Sequence, residues 1–156
     1  MAPAPDHFGL ALYYQRIGDF DNALTHYRAL LEQADGSAEV HNNLGVVLMR
    51  GSQLDAAASE FRVALSAEPR NVESMVNLAL VQRAAGRIAD ARDLLRRAIV
   101  LDPRNAGSHY NLAIVADESG DATTAIEHYR AFLRFGTVSH ADLAAQVRAR
   151  LTALGG

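Results

Sequence analysis

A side-chain pattern that returns every thirty-four residues constrains this chain more than any other feature of it. The stretch Ala38 to Gly45 aligns without gaps with Val72 to Ala79 and with Ala106 to Ala113. Each carries asparagine, leucine and a small residue in succession: Asn43-Leu44-Gly45, Asn77-Leu78-Ala79 and Asn111-Leu112-Ala113. One period earlier, Leu10-Ala11 falls on the same register. A chain that copies itself at this spacing is built from one supersecondary unit, stacked so that neighbours bury each other's apolar faces.

The second half of the period agrees. Gly18-Asp19-Phe20, Ser52-Gln53-Leu54, Gly86-Arg87-Ile88 and Gly120-Asp121-Ala122 align, followed by Tyr27, Phe61, Leu95 and Tyr129 and then by Leu30, Ala64, Ala98 and Phe132. Within one period the apolar residues recur at helical spacing twice: Val40, Leu44, Val47 and Leu48, then Leu54, Ala57, Ala58, Phe61 and Ala64. Each unit therefore reads as two helices and a turn. Gly18, Gly51, Gly86 and Gly120 are placed at the turns, where a positive φ suits glycine. Ala11, Gly45, Ala79 and Ala113 let the two helices approach closely, and Pro69 and Pro103 end the second and third units.

This pattern resembles the tetratricopeptide repeat. The resemblance covers residues 4–137 as the units 4–37, 38–71, 72–105 and 106–137. It implies an all-α fold: a right-handed α-solenoid of four antiparallel helix hairpins, here with a ninth, capping helix over 139–154. That helix carries Ser139 at its N-cap and Leu143, Val147, Leu151 and Leu154 on one side. The sequence departs from the family in two places. His7, His41, Met75 and His109 stand at its usual tryptophan, and Asp35 and Thr137 replace the closing proline of the first and last units. Met1 to Pro5 is expected to fray or to continue from further chain upstream.

The resemblance also implies that first helices line a concave face and that the fifth, sixth and ninth repeat positions point into it. The sixth supplies Asn43, Asn77 and Asn111, with Gly9 in the first unit. An amide both donates and accepts, so a ladder of asparagines reads peptide backbone without reading its sequence. The resemblance here is to arrays that hold extended peptides in this way, such as the repeats of the O-linked N-acetylglucosamine transferase. The fifth position supplies Phe8, Asn42, Val76 and Tyr110, and the ninth Leu12, Val46, Leu80 and Ile114, an apolar strip. Arg16, Arg50 and Arg83 followed by Asp117 and Glu118 suggest a face basic at one end and acidic at the other. The family's carboxylate clamp for chaperone tails is not expected, because register puts Phe8, Leu12, Asn43, Glu73 and Asn77 at its positions and only Asn43 agrees.

Composition narrows the rest. A net charge of −3 and a pI near 6.0 argue against nucleic acid, and no apolar run is long enough for membrane insertion. All fifteen basic residues are arginine, the usage of a G+C-rich genome. There is no cysteine, hence no thiolate chemistry and no cysteine zinc site. His7, His41 and His109 recur at unit spacing, about 10 Å, too far apart to share a metal, and are read as helix-interface residues. His26 and His128 are expected at the surface. No catalytic motif or dyad is present, so neither an enzyme nor a cofactor is expected. The expectation is a non-catalytic scaffold for a peptide or protein partner, cytoplasmic by default and periplasmic if a leader has been removed. The alternative is a homo-oligomeric assembly unit, or an accessory domain of a larger secretion, pilus or transferase system.

Overall fold

The computed structural model describes residues 2–33, 36–136 and 141–156. Among these it contains nine helices and no strand: α1 (His7–Ile17), α2 (Phe20–Glu32), α3 (Ala38–Arg50), α4 (Leu54–Ala67), α5 (Val72–Ala84), α6 (Ile88–Leu101), α7 (Ala106–Glu118), α8 (Ala122–Gly136) and α9 (Ala141–Leu154). The all-α reading holds. The chain packs as two compact units, Met1–Asn77 and Leu78–Gly156. Asp35, Thr137 and the N-cap expected at Ser139 lie outside the described residues, as does Met1.

Helix starts follow the period. Ser37, Asn71 and Asn105 stand thirty-four residues apart, and each accepts a hydrogen bond from the backbone N–H three residues on, at Val40, Ser74 and Ser108. Asp19 and Asp121 do the same for Asn22 and Thr124. The first helix departs from the register. Its cap is Asp6, which accepts from Gly9 N–H at 2.9 Å, so α1 starts at His7 rather than at Ala4. Pro5 sits just before that cap, and Pro3 and Pro5 supply no N–H for an earlier turn.

The turns carry one correction. Gly18, Gly86 and Gly120 adopt left-handed φ of 80°, 76° and 76°. In the second repeat the left-handed residue is Ser52, at φ 61°, whereas Gly51 sits at −80°. Ser52 is the residue in register with the three glycines, so the geometry follows the period and not the residue type.

In the first compact unit α1 packs on α2, α2 on α3, and α3 on α4. Its core includes Tyr27, Val40, Leu44, Val47 and Phe61, all at most 3% exposed. The close approach of α3 to α4 depends on Gly45. A Cβ built there would meet the Phe61 ring at 2.6 Å. In the second unit α6 packs on α7, α7 on α8, and α8 on α9. Tyr129, Phe132, Ala113 and Ala125 join Ala144, Val147 and Leu151 of α9 in one apolar cluster, so α9 covers the apolar side of the last hairpin.

Candidate functional site

The first-helix positions expected to meet a ligand fall into different environments. At the fifth position Phe8, Val76 and Tyr110 are half-buried, but Asn42 is only 4% exposed. Its amide donates to Glu73 Oε1 at 3.0 Å, and its oxygen accepts from Ser74 Oγ at 3.0 Å and from Asn77 Nδ2 at 3.1 Å. Asn42 thus ties α3 to α5 within the first unit. Three polar partners around one buried side chain satisfy groups that burial alone would penalise.

The three sixth-position asparagines are all half-buried, and their amides do different things. Asn77 donates to Asn42. Asn111 donates to the Gly107 carbonyl of its own helix at 2.9 Å. The Asn43 amide has no hydrogen-bond partner among the described residues. At the ninth position Leu12 is 40% exposed and Val46, Leu80 and Ile114 are half-buried. Arg50 is exposed.

In the second unit the fifth and ninth positions open onto a cavity of about 260 Å³, lined by Tyr110, Ile114, Asp117, Tyr129, Leu143, Gln146, Val147 and Arg150. Tyr110 leans on Phe132 with ring centroids 5.3 Å apart. The mouth is charged but self-neutralised. Arg150 makes two parallel bonds to Asp117, at 2.7 and 2.6 Å, and the Tyr129 hydroxyl donates to the same carboxylate at 3.1 Å. The Arg150 hydrogen bond holds the Asp117 carboxyl below its ordinary range despite partial burial. Arg83 binds Glu118 in the same two-pronged way, at 2.8 and 2.5 Å, and lowers that carboxyl too. The basic-to-acidic gradient suggested by sequence is therefore cancelled within this unit. What remains is an apolar hollow with paired charges at its rim.

A sequence profile of the tetratricopeptide repeat family matches residues 8–72 and 76–139. The chain is a tetratricopeptide-repeat protein. Its fold is similar to the crystal structure of MamA, at 22% identity with a TM-score of 0.76, covering 95% of this chain and 84% of that one. It is also similar to YrrB, described as a tetratricopeptide-repeat protein with an unusual peptide-binding site, at 16% identity and TM-score 0.76, covering 90% and 72%. A third similar structure is the first such domain of Spaghetti (RPAP3) bound to the HSP90 peptide SRMEEVD, at 15% identity and TM-score 0.68, covering 70% and 87%. No curated protein sequence matches the chain.

The tetratricopeptide register also organises the histidines. His7, His41 and His109 lie at helix contacts as expected, but His26 and His128 are half-buried and not simply surface residues. Each stands nineteen residues after a first-helix histidine and meets it. Nδ1 of His7 and His26 are 2.9 Å apart, and Nδ1 of His109 and His128 are 2.8 Å apart. In the second repeat the same pair of positions gives His41 and Glu60, at 2.6 Å. The constant separation was the available signal in the sequence. The centroids of the His109 and His128 rings lie 5.1 Å apart, the N···N distance plus one ring radius on each side, so the two nitrogens point straight at each other. That is hydrogen-bond geometry rather than two lone pairs converging on an ion. Among the described residues no three potential metal ligands come together.

Proposed function

We propose that this tetratricopeptide-repeat protein is a non-catalytic interaction scaffold that holds a peptide or extended partner segment on its first-helix surfaces. The observation that carries the reading is the hollow in the second unit. Tyr110 and Ile114, placed by the repeat register, and Leu143 and Val147 from α9 make an apolar receptor about the size of one bulky side chain. Asp117 and Glu118 are already matched by Arg150 and Arg83, so the receptor offers no unpaired charge and favours a neutral apolar anchor over a charged tail. In the first unit Asn43 supplies a free amide beside Val46, with Leu12, Phe8 and Arg50 on the other first-helix faces. Asn77 and Asn111 keep their oxygens for a backbone N–H even though their amides donate elsewhere. Leu80 and Arg83 belong to the same set by register. The peptide-binding site named for YrrB and the HSP90 peptide bound to the RPAP3 domain agree with this use of the fold.

The test is a peptide-display selection on the intact chain, repeated on Ile114→Glu and on the triple Asn43→Ala, Asn77→Ala, Asn111→Ala variant. The reading expects peptides with a recurrent bulky apolar residue, lost on Ile114→Glu and weakened on the triple variant. Enrichment indifferent to both variants would sink it.

A further inference from the structure

The outer face of α1 is exposed where its counterparts are buried. Leu10 is 36% exposed, but the leucines in register with it, Leu44, Leu78 and Leu112, are 3%, 5% and 1% exposed. Tyr13 is 48% exposed, whereas Val47, Val81 and Val115 are at most 1%. In the first unit α2 packs behind α3, and in the second α6 packs behind α7. No preceding helix stands behind α1 among the described residues. Ile17 extends the same stripe and is 55% exposed. Three bulky apolar side chains in a row on one helix face mark an interaction surface.

We propose that this face is occupied by α1 of a second copy of the chain, antiparallel across a two-fold axis. The stripe is self-complementary. The exposed carboxylate of Asp6 precedes it and the exposed guanidinium of Arg16 flanks its far end, and neither makes an ion pair among the described residues. Gly9 and Tyr13 lie between them, symmetrically placed along the helix. In the antiparallel register that sets Arg16 against the partner's Asp6, Tyr13 falls opposite the partner's Gly9. A shallow hollow lined by Gly9, Leu12, Tyr13 and Arg16 lies beside that contact, with the capping Asp6 carboxylate covering the Cα of Gly9. A two-fold axis makes each of these contacts twice. Antiparallel helix dipoles favour the same orientation. A parallel pair would bring Asp6 to Asp6 and Arg16 to Arg16. An unrelated apolar partner would need neither charge.

The experiment is sedimentation velocity of the full chain over a concentration series at low salt, with circular dichroism confirming that each variant is folded. The wild type is expected to shift from monomer to dimer as concentration rises. Tyr13→Glu, on the surface and away from the fold's core, should weaken association by at least about tenfold. Asp6→Arg and Arg16→Asp should each fail to pair alone but associate when mixed, because the mixed dimer restores both ion pairs. Asp6→Asn, which keeps a helix cap, should give an intermediate loss and serves if Asp6→Arg does not fold. A chain that stays monomeric throughout overturns the proposal. So does a dimer indifferent to Tyr13→Glu, or a mixture no better associated than its components; the face would then belong to a different protein or to preceding chain.

Discussion

His109 is held from both sides: its Nε2 lies 2.8 Å from the Pro103 carbonyl and its Nδ1 lies 2.8 Å from Nδ1 of His128. A carbonyl only accepts, so Nε2 carries the proton, and in the neutral ring Nδ1 of His109 is then the acceptor. His128 must therefore donate from Nδ1. One buried imidazole thus joins the loop before α7 to both helices of the last hairpin, and the tautomers of both rings follow from one oxygen atom.

This arrangement predicts acid sensitivity. Burial first, then the neighbouring His109, lowers the His128 pKa below 6.5; Glu127 opposes the shift and Arg96 adds to it. A histidine that protonates less readily folded than unfolded contributes its full stability above the ordinary histidine range. That contribution is lost as pH falls from about 6.5 through the lower folded value. Thermal melts from pH 8 to pH 5 should show a falling midpoint, and His128→Gln should flatten part of that slope. Superimposable slopes for the two proteins would remove the pair from any pH role.

Asn42 and Asn43 are adjacent in sequence and opposite in consequence. Asn42→Ala strips an acceptor from the fully buried Ser74 hydroxyl and a partner from Glu73 and Asn77. It should cost about 2–3 kcal/mol in urea unfolding. Asn43→Ala, with a half-exposed and unengaged amide, should cost no more than about 0.5 kcal/mol. Equal costs for the two would show that the buried network contributes nothing. Asn77→Ala should fall between them, because it removes a single donor to Asn42.

Gly45 and Phe61 should behave as a coupled pair. An alanine Cβ at Gly45 would meet three Phe61 ring atoms between 2.6 and 2.9 Å, and Phe61 is fully buried. Gly45→Ala should destabilise by about 1–2 kcal/mol even after its gain in helix propensity. The third repeat places Ala79 and Leu95 in these positions. Gly45→Ala combined with Phe61→Leu should therefore cost less than the sum of the single changes, and additive costs in a double-mutant cycle would count against the contact.

Ser52 holds a left-handed conformation that glycine holds in the other three repeats. Ser52→Gly should stabilise by up to about 1 kcal/mol, the relief of a Cβ clash less the extra entropy of an unfolded glycine. Gly86→Ala, the reverse change at an equivalent site, should destabilise. A lower melting temperature for Ser52→Gly would show that its side chain has a favourable role that offsets the strain.

Much of this was legible before any coordinates. The period marks Gly45 as a small residue at a close helix approach and puts Tyr110 and Ile114 on one helix face; the caps Ser37, Asn71 and Asn105, seen in the structure, recur on the same period. Register outweighs residue type at two places: Ser52 and not Gly51 takes the left-handed turn, and the nineteen-residue spacing of His26 from His7 and of His128 from His109 brings each pair into contact. A strictly repeated backbone repeats its dihedrals and its contacts, so both were recoverable from numbering alone.

Other features were not recoverable in that way. Helical phase says that Asn42 and Asn43 point in neighbouring directions, but not which of those directions another helix covers. Asn42 became a structural hub because α5 delivers Glu73, Ser74 and Asn77 to it, and Asp117 lost its free charge because α9 delivers Arg150. The sequence by itself determined the local dihedral pattern and its recurrence, because these depend on residues within a few positions of one another. Only the tertiary structure decided burial and charge pairing, because both depend on atoms brought together from more than thirty residues away.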